Sequence, residues 1–263
     1  MNFKVIFFLV LTLMSCSKNE DFGHIKVIGH GGMGVEHPMS IYHDNTLESV
    51  SLALQFPGLN GVEVDVQMDL DGTLWLYHDL ELDTETSGEG CIGSLHSDSI
   101  MELNYTTIYG EKLCKLDQIV SLMDSSQVLF VDVKSFNSCV GLVQNPELFI
   151  ESLNNALSDA KCEVRTVVSN TEWLPYFIPY YPTYYNSDHP IEIENNINEH
   201  LGLAGLVIRY SEVTESQVRD YKNQGLKVFL YEMRSPTGIR SALHKNPNGI
   251  IPDDIRRALI ESR

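Results

Sequence analysis

The chain has 263 residues, 43% of them hydrophobic, which suits one large globular domain. Its 36 acidic and 18 basic residues give a formal net charge of −18 at pH 7. This acidic excess argues against nucleic-acid binding and against electrostatic attraction to an anionic membrane. An anionic substrate would therefore need positive charge placed locally in its binding site. The sequence shows neither internal repeats nor a linker to a second domain.

The first residues are typical of a secretory signal peptide. Lys4 precedes an apolar run over 5–13 that is too short to span a bilayer. The segment Leu13-Met-Ser-Cys16 then resembles the bacterial lipoprotein signal, which implies a lipidated Cys16 as the mature N-terminus. The alternative is an ordinary cleaved signal in which this cysteine is incidental. We expect an exported lipoprotein of the bacterial cell envelope, on the outer membrane or the periplasmic face.

The chain divides into three predicted parts. They are a lipoprotein signal peptide (1–15), a polar tether (16–23) and one folded domain (24–263).

Four predicted strands carry polar residues at or near their C-terminal ends. They cover 25–32, 61–67, 74–79 and 128–134. In the second strand acidic and apolar residues alternate, so Glu63 and Asp65 share one face. The first strand ends in His30, and the third ends in His78. Asp132 and Lys134 share a face of the fourth by the same alternation.

These residue types indicate metal-assisted chemistry with proton transfer. The carboxylates of Glu63, Asp65 and Asp132 can bind a hard divalent cation, Ca²⁺ or Mg²⁺, through oxygen. Imidazole titrates near neutral pH, so His30 and His78 suit proton transfer to and from the reacting groups. The side chain of Lys134 could bind an anionic oxygen of the substrate.

The order of these motifs resembles the glycerophosphodiester phosphodiesterase family. The motifs are His30-Gly-Gly, Asn45-Thr-Leu, Glu63-x-Asp65, Asp71-Gly, His78-Asp79, Asp132-x-Lys134 and the closing Asn248-Gly-Ile-Ile-Pro-Asp253. The resemblance implies a metal-dependent phosphodiester hydrolase. It also implies that Tyr231 lies at the mouth of a barrel, near the substrate.

Three positions depart from the family pattern. Gly31 replaces an arginine, which implies weaker phosphate binding, since that side chain would be a bidentate ligand. Asp44 and Asp132 each replace a glutamate. Of the remaining seven histidines, His37 and His43 are the best further candidates because their loop follows His30.

The alternation of strands and helices predicts a TIM-type α/β barrel. The resemblance implies a distorted TIM (β/α)₈ barrel of the PLC-like phosphodiesterase type. Nine candidate strands compete for eight places, and Thr183–Asn186 is the weakest of them. The connection over 67–73 is too short for a crossover helix. The strand over 74–79 is therefore antiparallel or returns in extended form. The resemblance favours a parallel return, with one crossover helix missing between strands 2 and 3.

Several helices are predicted from apolar periodicity. A helix begins at Asn45, with Glu48 completing a capping box. Further helices are predicted over 98–104, 116–123, 146–160 and 215–224.

Apart from Cys16, four cysteines remain in the predicted mature chain, and none has metal-type spacing. In an oxidising compartment an even number permits disulfides. Cys91 and Cys114 flank one predicted loop segment and are the preferred pair, with free buried thiols as the alternative.

We therefore expect a hydrolase that cleaves glycerophosphodiesters to sn-glycerol 3-phosphate and an alcohol. A lysophospholipid phosphodiesterase is one alternative, for which an outward-facing apolar rim over 173–185 would be diagnostic. A non-catalytic surface lipoprotein that binds a glycan or lipid headgroup is the other. The expected partners are a small phosphodiester and, through Cys16, a membrane; no protein partner is evident.

Overall fold

The computed structural model describes residues 21–35, 40–135, 139 and 144–263. The signal peptide, Cys16, most of the tether and His37 lie outside these residues, so what we expect of them stays a prediction. Among the helices of the described part, none is long and apolar enough to cross a membrane.

The described residues form ten strands in one sheet. The strands are β1 (Lys26–His30), β2 (Gly61–Met68), β3 (Leu74–Leu76), β4 (Cys114–Lys115), β5 (Val128–Val133), β6 (Glu163–Val168), β7 (Thr183–Asn186), β8 (Gly205–Arg209), β9 (Lys227–Tyr231) and β10 (Gly249–Ile251). Eight of them, all except β3 and β4, run parallel, and pairing of β1 with both β2 and β10 closes the barrel. The predicted TIM-type barrel is confirmed.

Helices cover the outside of the barrel. In the described residues they are α1 (Leu47–Ala53), α2 (Ser97–Met101), α3 (Leu116–Val120), α4 (Pro146–Ala156), α5 (Leu174–Phe177), α6 (Pro190–Glu199), α7 (Glu215–Asn223), α8 (Pro236–His244) and α9 (Ile255–Glu261). Outward-facing valines of β2 and outward-facing apolar residues of the other parallel strands pack under these helices in the main core. The sequence explains where helix α4 begins. Asn145 caps its first turn by accepting hydrogen bonds from two backbone N–H groups, and Pro146 occupies its first position.

The N-terminal half of the barrel interior is closed by aromatic side chains. Phe130, Tyr184 and Phe229 are fully buried and form ring contacts with centroids 4.8–5.7 Å apart. Two inward-facing glycines make room for them. A Cβ added at Gly205 would lie 2.6 Å from the Tyr184 ring, and one added at Gly249 would lie 2.3 Å from the Phe229 ring. The central cavity of the barrel therefore opens at the C-terminal ends of the strands, opposite the end that these rings close.

The predicted parallel return after β2 is wrong. Strand β3 pairs antiparallel with β2, with Val66 opposite Leu76, and β4 continues the antiparallel ribbon. Because β2 extends beyond the barrel mouth to Met68, the chain turns there and comes back to the mouth. The carboxylate of Asp69 stabilises this turn by accepting from the backbone N–H of Asp71 and Thr73 and from the Trp75 indole. The missing barrel place is thus filled by Thr183–Asn186, the candidate that appeared weakest.

The start of α1 also differs from the prediction. Thr46, not Asn45, is the N-cap, and its hydroxyl accepts from the backbone N–H of Ser49. Asn45 has a positive φ of 57°, a conformation that asparagine tolerates better than most residues. Its side chain is used at the barrel mouth instead. The other predicted helices form, but α2, α3, α4 and α7 are each one or more residues shorter than expected.

The preferred disulfide is wrong as well. Cys91 bonds to Cys139, with the two Cα atoms 6.1 Å apart, whereas Cys114 and Cys162 are buried free thiols. Cys91 belongs to the segment between β3 and β4, and Cys139 to the connection that follows β5. The bond therefore joins two segments that lie far apart in sequence.

Candidate active site and metal centre

Three predicted metal ligands meet at the C-terminal end of the barrel. Parallel pairing places His30 beside Glu63 and Asp65 beside Asp132 on neighbouring strands. One oxygen from each of Glu63, Asp65 and Asp132 lies within 4.8 Å of the other two, and all three side chains are buried. The period-two alternation of β2 and β5 is the reason that these side chains face the interior together.

The carboxylate cluster fits a hard divalent cation. Oδ1 of Asp132 is buried and has no hydrogen-bond partner among the described residues. Burial and the adjacent charge of Asp65 raise the pKa of Glu63 to about 8. A cation coordinated by oxygen would satisfy the first group and favour ionisation of the second. These observations support a site for a hard divalent cation.

Lys134 holds two of the carboxylates. Its Nζ lies 2.8 Å from Oδ1 of Asp65 and 2.8 Å from Oδ2 of Asp132. Burial alone would raise the pKa of Asp65, but the ammonium group outweighs it and holds that pKa at about 2. Burial likewise opposes the charge on Lys134, and the two carboxylates overcome it and raise its pKa. Lys134 also lines the cavity.

Asn45 orients Asp65 from the loop after β1. Its Nδ2 donates to Oδ2 of Asp65 at 2.8 Å, and its Oδ1 accepts from the backbone N–H of Asp65 at 2.9 Å. This two-point contact explains why the motif needs an amide at that position: only a side chain with both a donor and an acceptor makes it.

His30 is positioned by a residue that the sequence did not assign a role. Nδ1 of His30 lies 2.6 Å from Oδ1 of Asp253, and Nε2 lies 3.9 Å from Oε2 of Glu63. Burial lowers the pKa of His30, but the Asp253 contact and the charge of Glu63 outweigh it and raise the pKa to about 9. The closing motif of the sequence contains Asp253, but only the three-dimensional structure shows that this carboxylate contacts the imidazole of His30.

His78 reaches the mouth through the antiparallel ribbon. The backbone N–H of Tyr77 donates to the carbonyl of Asp65, and the side-chain amide of Gln67 donates to the carbonyls of Tyr77 and Asp79. Nδ1 of His78 lies 2.9 Å from Oδ1 of Asp79, and 56% of its side chain is exposed. The two predicted histidines thus line one cavity, with His30 partly buried (side chain 19% exposed) and His78 accessible.

Gly31 contributes through its backbone. Its N–H donates to Oε2 of Glu63 at 3.2 Å. Its φ is +54°, and a Cβ there would lie 2.6 Å from Cβ of Asp44. A side chain at this position would therefore press on the loop that carries Asn45.

Tyr231 lies at the barrel mouth, where it was predicted. Its hydroxyl donates to the carboxylate of Asp188, at 3.1 and 3.0 Å from the two oxygens. Asp188 also pairs with Arg209, while Arg234 lies 3.5 Å from Asp253. No sequence motif marks these arginines. They place positive charge on the cavity wall, largely balanced by neighbouring acids.

The segment over 173–185, where an outward-facing apolar rim would favour the lysophospholipid alternative, does not form such a rim at the cavity. Trp173, Phe177, Tyr184 and Tyr185 are all buried, the first two against Phe149 of α4. Of the other aromatic residues in this segment, Tyr176 is 40% exposed and Tyr180 66%. The described residues that line the cavity come from other segments.

Comparison with known proteins gives a consistent result. The model of the glycerophosphoryl diester phosphodiesterase family matches residues 30–257. A glycerophosphodiester phosphodiesterase of Caldanaerobacter subterraneus is 29% identical over 150 residues, which are 55% of this chain and 57% of that protein. The chain thus spans about half the length of this curated relative.

Two solved structures share the fold over most of their length. A phosphodiesterase of Oleispira antarctica, in complex with the product sn-glycerol-3-phosphate, has a TM-score of 0.76 and 24% identity, covering 90% of this chain and 96% of its own. A glycerophosphoryl diester phosphodiesterase of Silicibacter pomeroyi has a TM-score of 0.75 and 20% identity, covering 90% and 92%.

Proposed function

The chain belongs to the glycerophosphoryl diester phosphodiesterase family, and from that premise we propose that it is a metal-dependent hydrolase that cleaves glycerophosphodiesters to sn-glycerol 3-phosphate and an alcohol. One observation carries the proposal. Three buried carboxylates, one with an unpartnered oxygen, converge beside a histidine in a cavity at the C-terminal end of the barrel. The product bound by the Oleispira antarctica relative is of the same chemical class as the product proposed here.

The residues take the following roles. Glu63, Asp65 and Asp132 hold the divalent cation, which when bound polarises a phosphate oxygen and offsets negative charge at phosphorus. Lys134 keeps two of these carboxylates in place, and its ammonium group can also bind a non-bridging phosphate oxygen.

His30 and His78 carry the proton transfers. The contact of Nδ1 with Asp253 leaves Nε2 of His30 directed to the metal side of the cavity. The contact of His78 with Asp79 orients the second imidazole in the same way. One imidazole takes a proton from the nucleophile and the other gives one to the leaving alkoxide.

The roles separate in one experiment. We would measure Ca²⁺ and Mg²⁺ binding by calorimetry, together with turnover of glycerophosphocholine, for the parent protein and its variants. Replacing Glu63, Asp65 or Asp132 by alanine should lower metal affinity and activity together, with partial rescue by excess metal. His30→Ala and His78→Ala should retain metal binding and lower kcat by roughly 10²–10⁴-fold.

His200→Ala serves as the matched control, since His200 follows α6 at the opposite end of the barrel. Absence of metal binding by the parent protein would refute the metal site. Unchanged kcat in both histidine variants would refute the assigned chemistry. Metal binding without turnover of any phosphodiester would favour the non-catalytic alternative.

A further inference from the structure

Arg234 lies at the barrel mouth, just beyond the end of β9, and its side chain lines the same cavity as His30 and Lys134. Its Nη2 lies 3.2 Å from Oε1 of Glu232, and its Nε lies 3.5 Å from Oδ2 of Asp253. The other oxygen of Asp253 contacts His30, so one carboxylate separates the guanidinium from that imidazole. Because the Arg234 side chain is 58% exposed, it is accessible to a ligand in the cavity.

An unusual backbone conformation turns Arg234 into the cavity. If β9 continued beyond Tyr231, the alternation of side chains would direct Met233 inward and Arg234 outward. Glu232 instead has a φ of 63°, a conformation uncommon for glutamate. After it the order is reversed, since Met233 is fully buried in the main core and Arg234 lines the cavity. Strained residues of this kind cluster at active sites and ligand contacts. Here the strained turn supplies the cavity with a guanidinium that a regular strand would direct outward.

Arg234 can turn to a ligand while its carboxylate partners keep other contacts. Arg209 also contacts Glu232, and His30 also contacts Asp253. Arg209 is held more closely, since its contacts of 3.0 Å with Asp188 and 2.5 Å with Glu232 are shorter than the 3.2 and 3.5 Å of Arg234. Of the two arginines on the cavity wall, Arg234 is therefore the better placed to exchange a carboxylate oxygen for an oxygen of a ligand.

An anionic phosphate at the metal site requires a further cation. The carboxylates of Glu63, Asp65 and Asp132 together offset the charges of a bound divalent cation and of Lys134. The net charge of this cluster therefore attracts a phosphodiester only weakly, and Gly31 adds no side chain to it. A guanidinium suits this place better than an ammonium group, because its parallel N–H groups match two phosphate oxygens.

We propose that Arg234 is a substrate-binding residue whose guanidinium donates to the non-bridging oxygens of the phosphate at the metal centre. This inference rests on the proposed function and assigns a phosphate contact of that site to the segment after β9. The contact is with the phosphate rather than with glycerol or the leaving alcohol. Because the product also carries these oxygens, Arg234 should contribute to the binding of substrate and product alike.

Calorimetry separates this role from a structural one. We would measure the binding of sn-glycerol 3-phosphate and of inorganic phosphate, in the presence of Mg²⁺, to the parent protein, Arg234→Met and Arg234→Lys. Arg234→Met should bind both ligands about tenfold more weakly, because charge-assisted hydrogen bonds to the phosphate are lost. Arg234→Lys should recover only part of the affinity, because an ammonium group lacks the paired donors.

Arg240→Met is the matched control, since it removes the same charge. Arg240 lies in α8 on the outside of the barrel, where it pairs with Glu261 at 2.8 Å and its side chain is 46% exposed. It should change neither affinity. In turnover of glycerophosphocholine, Arg234→Met should raise KM about tenfold and change kcat less, as expected for a contact made before and during the reaction. If the urea midpoint of Arg234→Met lies far below that of the parent protein, Arg234→Lys decides by the same criteria.

Unchanged affinity for both ligands in Arg234→Met, or no binding of either by the parent protein, would overturn the inference. Weaker binding of sn-glycerol 3-phosphate alone would also overturn it, because the contact would then be with glycerol. So would a lower kcat with unchanged affinities, since Arg234 would then act only through Asp253 on His30. If both affinities fall in Arg234→Met but the parent protein turns over no glycerophosphodiester, the inference stands and the proposed function fails.

Discussion

On β5 and β9, inward-facing side chains two residues apart meet opposite surroundings. Phe130 and Phe229 are buried among other rings at the closed end of the barrel, while Asp132 and Tyr231 line the open cavity. The same alternation of side chains therefore supplies a layer of packed rings at the closed end and a polar site at the open end. We call the layer formed by Phe130, Tyr184 and Phe229 the floor. Within this barrel, the position of an inward-facing residue along its strand decides whether it serves stability or chemistry.

Each end also contains a cationic side chain, partly buried at the mouth and fully buried at the closed end, and the two differ in their partners. Lys134 contacts two buried carboxylates at the mouth. Arg165 is 3% exposed at the closed end, where its guanidinium lies 5.2–5.7 Å from the centroids of three aromatic rings. Its carboxylate partner, Glu163, has a side chain that is 48% exposed. The first cation is tied to the site, whereas the second is mainly a packing element.

The largest effect on stability should come from removing one of the packed rings of the floor. Phe229→Ala removes a fully buried ring and leaves a cavity, so we expect a loss of about 3–5 kcal/mol in the free energy of unfolding, measured by urea denaturation. Tyr180→Ala, the same kind of truncation at a side chain that is 66% exposed, should change stability by about 0.5 kcal/mol or less. Equal losses in the two variants would contradict the assignment of the floor as the stabilising layer.

The stability of the protein should also depend on the disulfide. Cys91 and Cys139 are 48 residues apart, and cross-links of this span typically contribute roughly 2–4 kcal/mol. We therefore expect a reducing agent to lower the urea midpoint of the parent protein. The variant Cys91→Ser/Cys139→Ser should start from the lower midpoint and show no further response. If the reducing agent acts equally on both proteins, the bond does not stabilise the fold.

Exchanging the buried cation of the floor should have a smaller effect. Arg165→Met keeps an unbranched side chain among the rings, and Glu163 can remain ionised in solvent. We expect the stability to change by no more than about 1 kcal/mol, with a gain as readily as a loss, because the buried guanidinium carries a desolvation cost that methionine does not. Lys134→Met, the matched change at the mouth, should abolish most activity. A large loss of stability in Arg165→Met would show that the guanidinium is required in the floor.

The same contrast explains what could be predicted from sequence. The alternation of β2 placed Glu63 and Asp65 on one face, and parallel pairing then brought Asp132 beside them, so the ligand cluster was predictable from local rules. The direction of β3 was not, because it depends on how far β2 runs beyond the mouth and on the hydrogen bonds of Asp69. The pairing of His30 with Asp253 joins residues that are 223 positions apart. No local pattern contains that contact.

The smallest predicted effect concerns His43, where the site meets the segment between β3 and β4. Its Nδ1 lies 2.9 Å from the carbonyl of Asp44, its Nε2 lies 3.5 Å from Glu85, and its ring stacks on Tyr105 at 4.0 Å. The carboxylate of Glu111 accepts from its backbone N–H. Burial lowers the pKa of His43, but the contacts with Glu85 and Asp44 outweigh it and raise the pKa to about 9 from 6.5.

The raised pKa fixes the sign of the pH dependence. Below pH 6.5 the folded and unfolded chains both carry the proton, so the full stabilisation is present. Between pH 6.5 and about 9 only the folded protein retains it, and the stabilisation falls as the pH rises. We expect this contribution to be on the order of 1 kcal/mol, because solvent screens the partly exposed Glu85. Urea denaturation of the parent protein and of His43→Gln across this range tests it: His43→Gln should flatten the decline, His200→Gln should not, and parallel curves for the parent and His43→Gln would contradict the assignment.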